Sequence, residues 1–191
     1  MIVIAGGIGS GKSVVARILR LKGYGVFDCD FEAKRLMEED EVIISMLKSE
    51  FGEAIYRCGR LDRKKLAEAI FSNPEARKKV NSAVHTAVKV KISNWREESE
   101  LNIFVETAIA AESGIAAEAS GIWLVEADKT TRIERVIKRD NRTEEQIRAI
   151  VSIQEKEEER LAKGGVRIFR ISNNPKDDVL LRIDRLLESA I

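Results

Sequence analysis

The chain has 191 residues, with 33 Lys plus Arg against 32 Asp plus Glu, a single His and a formal net charge of +1. That balance argues against a nucleic-acid-binding surface. With 44% hydrophobic residues and only 2 Pro and 12 Gly, the composition points to a packed globular core of one domain, or one domain with a sizeable insertion, rather than a disordered or collagen-like chain.

Ile2, Val3, Ile4 and Ala5 form a short unbroken apolar run that ends at Gly6-Gly7, the pattern of a strand buried on both faces. A helix is predicted over 12–22, with Val14, Val15, Ile18, Leu19 and Leu21 as its apolar residues, and a second strand over 24–27 leads into Asp28-Cys29-Asp30. Strand, helix and strand so close together open a βαβ unit. From 31 to about 100 the periodicity turns helical, with breaks at Gly52, Cys58-Gly59 and Ser72-Asn73-Pro74. Strand character returns over 102–105 and 122–125, and a helix over 129–138 runs into Arg139-Asp140-Asn141-Arg142. Thr143 and Gln146 have capping-box spacing for a long helix ending near Gly164-Gly165. The stretch 166–171 reads as an outer strand, and 175–189 as a closing amphipathic helix.

The resulting expectation is an α/β fold with a five-stranded parallel sheet flanked by helices. Its core is expected at about 1–30, 101–138 and 164–191, with a helical insertion at about 31–100 and a lid at about 139–163. No apolar stretch approaches the ~18 residues of a membrane span. The N-terminus lacks a basic segment before an apolar one, and Cys29 and Cys58 make no C-x-x-C pair. A cytoplasmic protein with reduced thiols, and with neither a membrane nor a nucleic-acid partner, is therefore expected.

In such sheets ligands bind at the carboxyl ends of the strands, which singles out the segment 6–13, Asp28, Asp30, Glu106, Glu126, Asp128 and Asn173. Gly6-Gly7-Ile8-Gly9-Ser10-Gly11-Lys12-Ser13 matches G-x-x-x-x-G-K-[ST] at every fixed position, after a predicted strand and before a predicted helix. Glycines let successive N–H groups line phosphate oxygens, and the helix N-terminus adds partial positive charge. Lys12 is placed to reach the β- and γ-phosphates of ATP, and the Ser13 hydroxyl to ligate Mg²⁺. The loop leaves the phosphoryl acceptor open. Absence of an N-K-x-D segment argues against a GTPase, and Phe104-Val105-Glu106 is only a weak match to the strand of a large ATPase.

Asp28 and Asp30 end the second strand, where a carboxylate can accept a hydroxyl proton or hold Mg²⁺ through water. Asp30 also suits capping of the next helix. Arg139 and Arg142 can neutralise charge on a transferred phosphoryl group from a closing segment, or belong to a solvated basic turn. By its spacing, His85 reads as a partly buried helix residue, while Cys29, Trp95 and Trp123 read as packing.

Taken together, these segments resemble the dephospho-coenzyme A kinase family, over nearly the whole chain. The opening loop is similar to the family's, and Val26-Phe27-Asp28-Cys29-Asp30 to its D-x-D strand end. Leu61-Asp62-Arg63-Lys64-Lys65-Leu66, Ile70-Phe71-Ser72-Asn73-Pro74-Glu75, Asn81 and His85 are similar to its helical insertion. Ala111-Glu112-Ser113-Gly114-Ile115, then Arg135, Arg139 and Asp140, then Gln154 and Asn173, continue the match in order. Thr86, Ala108 and Ile150 depart from the pattern, and Ile150 stands where a lid arginine is expected, a place that Arg142 could fill instead.

The resemblance implies a P-loop kinase that transfers the γ-phosphoryl of ATP to dephospho-coenzyme A, with Mg²⁺ at Ser13. It implies Lys12, Asp30 and Arg139 as catalytic residues, with Asp30 as the base. ATP binding falls to Gly7, Ile8, Gly9, Ser10, Gly11, Lys12, Ser13, Val14, Arg139 and Asn173. The acceptor falls to Asp30, Lys34, His85 and Glu112. Two other readings are a kinase of a nucleoside monophosphate or another small metabolite, and an ATP-binding regulatory module without transfer activity.

Overall fold

A computed structural model describes residues 1–71, 73–99, 103–140 and 143–189. Asn102, at the predicted start of the third strand, Ser72 in the predicted break, and Asn141 and Arg142 lie outside the described residues. The chain forms two compact units, one of Met1–Asp28 with Ser99–Ile191 and the other of Cys29–Glu98.

The first unit holds five parallel strands: β1 (Ile2–Ala5), β2 (Gly25–Asp28), β5 (Ile103–Glu106), β6 (Gly121–Glu126) and β7 (Ile168–Ser172). Their order is β2-β5-β1-β6-β7, with Ile4 opposite Glu106 on one side and Trp123 on the other. The chain leaves β1 toward one edge and later crosses β1 to the opposite edge. The order therefore reverses at β1, whose carboxyl end opens the crevice where such sheets take ligands.

Burial on both faces explains the continuous apolar runs. Ile4, Phe104, Trp123, Val125 and Ile171 pack with Val15, Ala16 and Leu19 of α1 (Lys12–Leu21) and with Val179, Ile183 and Leu186 of α8 (Val179–Glu188). Their sequence neighbours Val3, Val105, Ile122 and Leu124 are equally buried and point to the other face. Trp123 meets Phe104 at a ring-centroid distance of 5.0 Å, and truncating it to Ala costs about 3–5 kcal/mol. Helices α6 (Lys129–Arg139) and α7 (Glu144–Lys163) pack through Ile133, Val136, Ile147 and Val151. The predicted capping box is present, with Thr143 Oγ1 accepting from Gln146 N and Gln146 Oε1 from Thr143 N.

The second unit holds α2 (Cys29–Glu39), α3 (Glu41–Phe51), α4 (Arg63–Phe71) and α5 (Pro74–Glu98), with a small hairpin of β3 (Tyr56–Arg57) and β4 (Arg60–Leu61). Ala76, Val80, Val84, Val88 and Ile92 recur every fourth residue as the buried stripe of α5.

Three local features differ from the sequence expectation. Asp40 separates α2 from α3, because its carboxylate accepts from Val42 N and Ile43 N and starts a new helix. The break at Cys58-Gly59 is a hairpin turn with φ of 48° and 77°. The last helix starts at Val179 rather than near 175: Asp177 instead accepts from the Ser172 hydroxyl and Asn174 N, and Asp178 caps Leu181 N. No helix among the described residues is long and apolar enough to cross a membrane.

Candidate active site

The glycine loop leaves β1 and enters α1 at the crevice. Gly11, the residue before α1, has φ of 102°, and the helix has neither a side-chain cap nor an acid in its first turn. Side-chain oxygens start α3, α7 and α8, whereas α1, like α6, starts without one, and an uncapped helix start following a glycine loop suits an anion. A Cβ on Gly11 would come within 1.8 Å of Asn173 Nδ2, so any side chain there would displace Asn173 and strain the positive φ. Lys12 lies back over the loop, its Nζ donating to Gly7 O at 3.3 Å. Ser13 and Val14 are exposed in the first turn.

Side chains from distant elements converge on this loop. Arg132 Nε donates to Ile8 O at 3.0 Å, Arg135 NH1 to Gly9 O at 3.4 Å, and Asn173 Nδ2 to Ser10 O at 2.7 Å. Gln154 Oε1 accepts from Ile8 N at 2.6 Å. The Ile8 side chain packs against the apolar seam of α6 and α7. Arg135 NH2 also donates to Asn173 O at 2.8 Å, which ties the end of β7 to α6.

Helix α7 is tied to the stretch after β5 as well. Glu157 accepts from Ala111 N and Glu112 N. Burial pushes the Glu157 carboxyl above its ordinary value, partly opposed by those two amides. Burial also raises Glu158, against the pull of Arg132. The Glu112 side chain is exposed, with Arg160 at 3.7 Å.

With Glu112 in the stretch after β5, the residues named from sequence therefore fall into four places. The loop residues Gly7, Ile8, Gly9, Ser10, Gly11, Lys12, Ser13 and Val14 lie together with Asn173 and Gln154. Arg139 closes α6 with its guanidinium on Asp140, at 2.8 and 3.0 Å, and this pairing raises its already high pKa. Asp30, Lys34 and His85 belong to the second unit. Asp30 is exposed in the first turn of α2, Lys34 is exposed one turn further on, and His85 is half-buried on α5. Asp30 is thus a helical residue rather than the N-cap, and β2 stops at Asp28, which stands opposite Glu106. The second unit also carries an open groove of about 750 Å³ between α2, α3 and α5, lined by residues such as Leu36, Ile43, Met46, Ala83, Ala87 and Val90.

Arg132 escaped the sequence reading. Its signal was present: Arg132, Arg135 and Arg139 are spaced three and four residues apart, on one face of α6.

A family model described as dephospho-CoA kinase matches residues 1–175. A dephospho-CoA kinase of Porphyromonas gingivalis is 36% identical over 187 residues, covering 97% of this chain and 92% of that protein. A solved structure from Thermus thermophilus superposes with a TM-score of 0.79 at 33% identity, covering 99% of this chain and 94% of the other. Shikimate kinase from Bacteroides thetaiotaomicron shares the fold, with a TM-score of 0.59 at 13% identity over 99% of this chain and 97% of that one.

Proposed function

Because the chain belongs to the dephospho-CoA kinase family, we propose that it transfers the γ-phosphoryl group of ATP to the ribose 3′-hydroxyl of dephospho-coenzyme A, giving coenzyme A and ADP. The observation that carries this reading locally is the glycine loop at the carboxyl end of the central strand, leading into a helix with no side-chain cap. Phosphoryl transfer asks little covalent chemistry of a protein, so positioning and electrostatics account for most of the acceleration.

In this reading the loop amides and Lys12 hold the triphosphate. Asp30 accepts the proton of the attacking hydroxyl, while Arg139, released from Asp140, faces the moving phosphoryl group. Lys34, His85 and Glu112 contact the acceptor, and α7 with its preceding turn acts as a lid that excludes water. The donor set suits Mg²⁺. The described residues contain no cluster of three or more His, Cys, Asp or Glu side chains able to cage a metal, and Mg²⁺ in such sites is held by few protein groups together with phosphates and water. The Ser13 hydroxyl, exposed at the start of α1, would hold it, and the ion would neutralise charge on the β- and γ-phosphates.

The test is an acceptor panel. Protein with MgATP is offered dephospho-coenzyme A, AMP or CMP, and products are identified by mass. Phosphate gain on dephospho-coenzyme A alone supports the proposal. Gain on AMP or CMP instead would overturn the acceptor, and nucleotide binding without transfer to any of the three would favour a regulatory module.

A further inference from the structure

Ile8, Gly9 and Ser10 each present a carbonyl to a side chain from elsewhere in the first unit: Arg132, Arg135 and Asn173 respectively. In a trans peptide the C=O and the following N–H point in opposite directions. Holding three successive carbonyls on one side therefore turns the amides of Gly9, Ser10 and Gly11 to the other. Ser10 N bonds Gly7 O at 3.2 Å, which closes the turn of the loop. A guanidinium on a carbonyl also polarises its peptide, which strengthens the paired N–H as a donor.

Arg132 is the unusual member of this set. It is only 8% exposed, deeper than most arginines. Glu158 is at 3.9 Å from it, and the NH2 of Arg132 is buried with no hydrogen-bond partner among the described residues. That nitrogen lies 1.9 Å from where a Cβ on Gly7 would sit, so the glycine makes room for the arginine. A buried cation with so little compensation is unfavourable by itself. Here its charge stands directly behind a loop suited to a polyanion.

We propose that Arg132, aided by Arg135, is a positioning residue for phosphoryl transfer: it grips the outer carbonyls of the glycine loop, aims the loop amides at the nucleotide phosphates before nucleotide arrives, and sets its positive charge behind them. This rests on the reading of the loop as the nucleotide site. Arg132 acts through the backbone, and the amides it sets cradle the phosphates that ATP and ADP share. Its loss must therefore weaken both nucleotides equally, whereas an arginine touching the γ-phosphate would discriminate between them.

The experiment measures MgATP and MgADP binding by calorimetry, with KM for each substrate and the melting temperature, for wild type, Arg132→Ala and Arg132→Gln. Arg132→Ala is expected to weaken both nucleotides alike, by about tenfold or more, the scale of a hydrogen bond to a charged group. KM for ATP rises with it, while KM for the acceptor stays put. Arg132→Gln, which keeps an N–H for Ile8 O without the charge, recovers part of the loss. Unchanged binding of both nucleotides in Arg132→Ala would overturn the proposal, as would a loss confined to ATP. A loss seen only where the variant is already melting would overturn it too. Wild-type protein that bound neither nucleotide would overturn the loop assignment itself, a separate failure.

Discussion

The two compact units solve different problems. In the first, a short glycine segment is fixed by groups far away in sequence: Arg132 and Arg135 on α6, Gln154 on α7 and Asn173 after β7 all reach backbone atoms of residues 8–10. In the second, buried apolar stripes on helices hold the shape, while Asp30 and Lys34 stand exposed. In the proposed function, one unit is a mould for a constant ligand part, and the other offers side chains on a helical frame. A triphosphate presents the same oxygens to every enzyme that uses it, whereas acceptors vary, so variation in substrate belongs on the helical frame.

Breaking the mould should have the largest effect. Lys12→Ala is expected to lower kcat by at least about a hundredfold, since it removes a charge aimed at the transferring group, with the circular dichroism spectrum unchanged. Near-normal turnover would remove the basis of the comparison. Asp30→Asn tests the other unit: kcat should fall by about 10²–10⁴ through loss of the base, with ATP affinity retained. Arg139→Ala should lower kcat by about tenfold to a hundredfold, with a smaller change in KM for ATP, since its charge matters most as the phosphoryl group moves.

A fourth variant asks whether the frames are separately stable. Leu47 on α3 is fully buried, so Leu47→Ala should destabilise by about 2–5 kcal/mol. Hydrogen exchange should quicken across 29–98 before it does in β1 and α1. Equal quickening everywhere would mean one cooperative unit.

The smallest effect is a pH slope. A carboxyl raised on folding adds stability that is full below its ordinary value and is lost as pH rises through the raised one. Glu157 and Glu158 are both raised by burial, so the wild type should gain stability as pH falls from about 7 toward the carboxylate range. Glu157→Gln should flatten that gain, as read by thermal melts across pH.

What could be read from the sequence differed between the units for a physical reason. The glycine loop, β1 and the capping box at Thr143 are local patterns, each set by residues within a few positions, and their sequence spacing predicts them. Gln154 entered only through family resemblance and Asn173 through that and its place at a strand end, because nothing local marks a side chain that bonds a backbone atom 146 or 163 residues away. Arg132 shares one face of α6 with Arg135 and Arg139, but that spacing alone does not tell a loop-binding arginine from a solvated one. The β3–β4 hairpin carried only its turn residues as a signal, as two-residue strands are too short for an alternating pattern. Asp40 is an N-cap by residue type, but it sits in a charged run through which helical periodicity continues.

The most direct test of the account is a count of products in one reaction vessel, with ADP and phosphorylated acceptor followed together on adding dephospho-coenzyme A to protein and MgATP. The account predicts negligible ADP before the addition and then one ADP for each phosphate gained at the ribose 3′-hydroxyl. ADP formed at the same rate without the acceptor, or acceptor left unmodified while ADP accumulates, would contradict it.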